Sequence, residues 1–97
     1  MFEGGEFTMS KIITYDLDSP GQDYSKLIDA IKSYSDWAKI SESCWVISSA
    51  DSCVTIRDNL KNYIDTNDKL FVATLNGEAA WSGSISSTDD VKRVIQN

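Results

Sequence analysis

The sequence predicts an α+β domain, a ferredoxin-like βαββαβ unit with an extra short strand and a helical turn at its C-terminal end. Three observations lead to this class. Runs rich in β-branched and aromatic residues recur at 11–16, 43–48 and 69–75, which is how strands read. Stretches at 22–34 and 52–64 carry apolar residues at helical steps, which is how amphipathic helices read. The order strand, helix, strand, strand, helix, strand contains two halves with right-handed crossovers. Together they give a four-stranded antiparallel sheet with both helices on one face.

Each element has a local reason. The first strand is Lys-Ile-Ile-Thr-Tyr-Asp at 11–16. Asp18-Ser19-Pro20-Gly21 follows as a turn, because proline presets φ and glycine supplies the unusual angle. Asp23 is placed to cap the first helix. Tyr24, Leu27, Ile28, Ile31 and Tyr34 make its apolar face. Two short strands come next, 37–40 and 43–48, with the bend at Ser41-Glu42. In the second of them Cys44 and Val46 face one way, Trp45 and Ile47 the other. Asp51 or Ser52 caps the second helix, which buries Cys53, Ile56, Leu60 and Ile64. The run at 69–75 is apolar on both faces and reads as a central strand. Asn76-Gly77 is a hairpin-type turn signal, with a short strand expected around 79–81. Thr88 or Ser87 caps a final helical turn. Asp89 and Asp90 sit at its positive end and Val91, Val94 and Ile95 turn inward. This plan leaves the second sheet face bare, with Trp45 or Phe71 on it, and a symmetric homodimer would cover it.

The 97 residues amount to one domain, 41% apolar and 25% charged, which excludes collagenous and disordered classes. Residues 1–8 read as a leader outside a single domain at 9–97, and are expected to be disordered. They lack the basic and apolar regions of a signal peptide. Glu3-Gly4-Gly5-Glu6 can be encoded by a purine-rich ribosome-binding sequence, which makes Met9 the expected natural start. No apolar run nears the roughly 20 residues that span a bilayer, so no membrane association and a cytoplasmic location are expected.

The net charge is -6 and histidine is absent. Imidazole catalysis is thereby excluded, and with it a serine–histidine triad or a cysteine–histidine pair. Nine bases scattered along the chain do not make a phosphate-binding surface. Cys44 and Cys53 are too few for a disulfide framework or a zinc site and are read as small buried apolar residues.

Tyr15-Asp16-Leu17, Pro20-Gly21-Gln22-Asp23-Tyr24 and Leu27-Ile28-Asp29-Ala30-Ile31-Lys32 stand in an order that resembles a known group. So do the hydrophobic stretch Ser43-Cys44-Trp45-Val46-Ile47 and the aspartate-led strand Asp68-Lys69-Leu70-Phe71-Val72. The group is that of the small SinR-like proteins related to the second protein of the CRISPR adaptation pair. The resemblance covers about residues 11–81. It implies a ferredoxin-like homodimer in a bacterial or phage defence setting. It further implies that Asp16 of both subunits could hold one Mg²⁺ or Mn²⁺, with Asp18 as a second ligand or water holder. Tyr15 and Trp45 would shape the substrate pocket.

Two functions stay open. In one, the dimer is a divalent-metal endonuclease acting on RNA or DNA, its ion polarising a phosphate and activating water. In the other, it is a non-catalytic interaction protein, whose acidic surface suits a basic protein partner better than bare nucleic acid. The residues themselves allow Asp16 and Asp18 to be plain turn formers, and Tyr15 and Trp45 to be packing residues. The acidic balance favours the interaction protein, with the endonuclease as the alternative.

Overall fold

Alternation along each strand feeds two separate cores, one on each side of a single sheet. A computed structural model of the chain describes residues 8–18 and 24–96. Its elements are β1 (Met9–Asp16), α1 (Ser25–Lys32), β2 (Asp36–Ser41), β3 (Cys44–Ser49), α2 (Cys53–Leu60), β4 (Lys69–Thr74) and α3 (Thr88–Ile95). A 3₁₀ turn, Lys61–Tyr63, continues α2. The four strands pair antiparallel in the order β2-β3-β1-β4, the expected ferredoxin-like arrangement. The expected turn at Pro20-Gly21 and the cap at Asp23 lie outside the described residues, as do positions 1–7 of the expected leader.

Because side chains alternate with a period of two, Ile13 and Tyr15 of β1 and Trp45 and Ile47 of β3 share one face. They pack with Leu27 and Ile31 of α1 and with Ile56 and Leu60 of α2. Val46 of β3 and Ala38 of β2 point the other way, against Val91, Val94 and Ile95 of α3. The split expected along 43–48 is therefore observed. Trp45 is not on a bare face, however: it is 1% exposed beneath the helices.

Each helix after the first begins on a serine. The Thr55 amide donates to Ser52 Oγ at 3.1 Å, and the Asp90 amide to Ser87 Oγ at 3.1 Å. Each bond satisfies one of the donors that a helix start leaves free. Asp89 and Asp90 lie in the first turn of α3 and Lys92 and Arg93 in its last, which suits the helix dipole.

The second sheet face departs most from expectation. It is covered in part by the chain's own α3, which is a full helix of eight residues rather than a single turn. Two polar contacts seat it. Buried Ser10 places its hydroxyl at 2.7 Å from the Val94 carbonyl and 2.8 Å from that of Ile95, occupying carbonyls that a helix end leaves free. Arg93 grips both oxygens of Asp36, Nε at 2.7 Å and Nη2 at 2.9 Å, and ties its third nitrogen to Asp90 at 2.5 Å.

Two further expectations are corrected. The apolar run at 69–75 forms β4, an edge strand and not a central one. Its apolar character on both sides reflects one face under α2 and one exposed phenylalanine. No strand forms around 79–81. Asn76-Gly77 does turn, with Gly77 at φ +94, but the chain then crosses to the far side of the sheet. Leu75 and Trp81 pack against the α3 cluster on the way. At β2 the Ile85 amide donates to the Ile40 carbonyl at 3.1 Å and the Ser86 amide to that of Lys39 at 2.8 Å. A hairpin onto β4 is incompatible with that route.

Ser10→Ala should cost about 1–3 kcal/mol in urea unfolding, because two helix-end carbonyls lose their buried donor. Leu60→Ala, in the larger core, should cost about 2–5 kcal/mol.

Candidate functional site

One helix covers only part of the second face. α3 rests on β2 and β3 and reaches β1. At the far end, cross-strand register sets Thr14 beside Phe71 and Asp16 beside Lys69. These four side chains are aligned on the sheet face that α3 leaves open. Phe71 is 60% exposed, and a shallow depression runs between it and the end of β1.

Asp16 closes β1 and is exposed. Its cross-strand neighbour in the ladder is Lys69. Asp18 is also exposed. Its backbone, not its carboxylate, has the defined role, since its amide donates to Asp68 Oδ1 at 2.7 Å. Among the described residues no three acidic or thiol side chains converge as a metal site.

Tyr15 and Trp45 belong to the larger core, and Tyr15 also lines the depression beside Asp16 and Phe71. Trp45 Nε1 donates to the Tyr15 hydroxyl at 3.0 Å, and that hydroxyl donates to the Glu42 carbonyl at 3.3 Å. Burial pushes the Tyr15 phenol up from its usual pKa, and the Trp45 hydrogen bond partly offsets it. Trp45 meets Trp37 edge-on, with centroids 5.6 Å apart. The ammonium groups of Lys32 and Lys39 lie over these rings, the former 5.1 Å from Trp37 and the latter 5.1 Å from Trp45. Such cation–aromatic contacts stabilise a packed cluster. Trp45 is 1% and Tyr15 7% exposed, which leaves little ring surface for stacking on a base.

The carboxylate with a full set of donors is Asp68, which the sequence reading used only as a strand leader. Its Oδ1 accepts from the Asp18 amide, its Oδ2 from the Asp65 amide at 2.8 Å. The Tyr24 hydroxyl contacts both oxygens, at 3.2 and 3.1 Å. Three segments are thereby joined: the exit of β1, the entrance of α1 and the turn before β4. These donors favour the ionised form. They hold the Asp68 carboxyl below its ordinary value, the Asp18 amide contributing most.

The thiols are partly buried rather than fully so. Burial pushes the Cys44 thiol up, which makes it a poor nucleophile at neutral pH. A feature that sequence reasoning passed over is a groove between α2 and β4, lined by Cys53, Val54, Arg57, Leu70, Phe71 and Val72. Val54 is 56% exposed. An apolar residue on what should be the wet side of α2 was the available signal.

No family model matches this chain, and comparison with curated proteins and with solved structures finds no match. The fold itself is established: a small α+β domain with a four-stranded antiparallel sheet. No helix among the described residues is long and apolar enough to cross a membrane.

Asp68 also generates a pH dependence. A carboxyl with a lowered pKa in the folded state stabilises fully above its unfolded value, and that contribution is lost as pH falls through the folded value. Urea midpoints followed from about pH 6 to about pH 2 should fall less steeply for Asp68→Asn than for the unmodified chain. At neutral pH the variant should be the less stable of the two.

Proposed function

We propose that this chain is a non-catalytic interaction protein of the SinR-like type, which binds a protein partner through the open end of its sheet at β1 and β4. The observation that carries this reading is the exposed Phe71 on an otherwise two-sided, self-covered sheet. Exposed aromatic surface of this kind is typical of recognition surfaces. The net charge of -6 favours a protein over a polyanionic strand as the ligand. The endonuclease alternative would need Asp16 to meet a second carboxylate on another copy.

The test is a comparison of the purified chain with Asp16→Asn, on RNA and DNA substrates with Mg²⁺ or Mn²⁺. Any nucleolysis in the two preparations should agree within about twofold, well below the loss of several kcal/mol of charge stabilisation expected when a catalytic ion is removed. Cleavage that depends on both the metal and Asp16 would establish the endonuclease instead.

A further inference from the structure

The two edges of the sheet are treated differently by the chain. The β2 edge is closed by the 85–86 segment, which donates two amides to it, and by Ser86 Oγ, which accepts from the Lys39 amide at 2.9 Å. Its ladder is also irregular between Lys39 and Ser41. The β4 edge has none of these protections among the described residues. Its register with β1 is unbroken from Lys69 to Thr74, it contains no proline, and its one charge is Lys69 at the first position. Natural proteins blunt such an edge with charges, bulges or a covering segment when no partner is intended.

The polarity of that edge can be read from one bond. The Leu75 amide donates inward to the Ser10 carbonyl at 2.9 Å. Amide and carbonyl directions alternate along an antiparallel strand, so Leu70, Val72 and Thr74 turn theirs outward. The two most exposed of the large apolar side chains flank this edge on opposite faces: Phe71 at 60% on the open sheet face, Val54 at 56% on α2.

We infer that β4 pairs antiparallel with β4 of a second copy, about a two-fold axis at Val72, to make one continuous eight-stranded sheet. In that register Val72 exchanges both backbone hydrogen bonds with its symmetry mate, and Leu70 pairs with Thr74 of the other copy. Phe71 then stands beside the small Ala73 of the other copy on the open face, large against small. The two Lys69 ammonium groups sit six residues apart along the seam, about 20 Å, so no like charges meet on the strands. Symmetric isologous contacts of this type are the commonest route to a dimer. This specifies one partner for the proposed interaction surface and rests on that reading. It also carries the two Asp16 carboxylates far beyond the roughly 2.0–2.6 Å coordination reach of a shared ion.

The experiment combines sedimentation over a concentration series with residue-resolved amide exchange on the full chain. A dimer is expected, with the Leu70, Val72 and Thr74 amides exchanging at least about tenfold more slowly in the dimer than after dilution. Phe71→Glu should weaken the dimer at least about tenfold while the thermal melt keeps its shape, since the side chain is exposed in the single copy. Val72→Pro removes an outward amide that β1 does not use and should abolish the dimer as well. If this variant fails to fold, Phe71→Glu and the exchange rates still decide. A chain that stays monomeric at high micromolar concentration overturns the inference. So does a dimer in which those three amides remain as fast as in the monomer, because its contact would lie elsewhere. Either result leaves the non-catalytic reading to the separate metal and Asp16→Asn comparison.

Discussion

Covering a four-stranded sheet on both faces with helices of only eight residues is the constraint on which the rest of this molecule depends. One face has α1 and α2. The other has α3 alone. An eight-residue helix is about 12 Å long and about 10 Å across, whereas four strands at about 4.8 Å spacing present a face about 19 Å wide. A single helix therefore covers roughly half of that face. The chain spends it on β2 and β3, where Ser10 and the Asp36–Arg93 pair hold it. The β1–β4 end is left open as a geometric consequence, and the candidate surface is what remains.

The route of the chain after Gly77 decides which edge shares in that openness. Had residues 78–81 folded back beside β4, a fifth strand would have closed it. Their crossing instead delivers Ile85 and Ser86 to β2 and lets Trp81 complete the α3 cluster. Closing one edge and leaving the other are thus the same event. The open face and the open edge meet at Phe71, so burial of that ring and satisfaction of the outward amides would be gained together.

Much of the fold was legible because it is written in short periods. The alternation at Trp45, Val46 and Ile47 separated the two sheet faces correctly, although it did not tell which of them the helices α1 and α2 cover. The steps of three and one at Val91, Val94 and Ile95 fixed the inward side of α3. What failed was non-local. An apolar run such as Lys69 to Thr74 reads alike in a central strand and in an edge strand beside a partly apolar groove, and only pairing order separates them. Asn76-Gly77 signals a turn, and the turn is there. It says nothing about where the next segment lands, which here is the opposite edge of the sheet. The candidate site was legible to a lesser degree. Phe71 was one of two residues expected on a bare face and is exposed there, while Trp45, the other, is sealed into the core with Tyr15 by their hydrogen bond.

The contrast between Asp16 and Asp68 explains why residue type at a strand end is a weak guide to chemistry. Both are aspartates at the same end of paired strands, one closing β1 and the other preceding β4. Asp68 is surrounded by two amides and a phenol, so its charge is used up in holding three segments of backbone together. Asp16 has a lysine across the strand and open solvent on its other side. A carboxylate needs uncommitted oxygens and a second anionic ligand before it can hold a divalent cation. Asp68 lacks the free oxygens, and around Asp16 the described residues gather no group of three such ligands. The acidic end of the sheet is therefore committed to architecture at Asp68, while Asp16 stays exposed on the same sheet face as the exposed Phe71 ring.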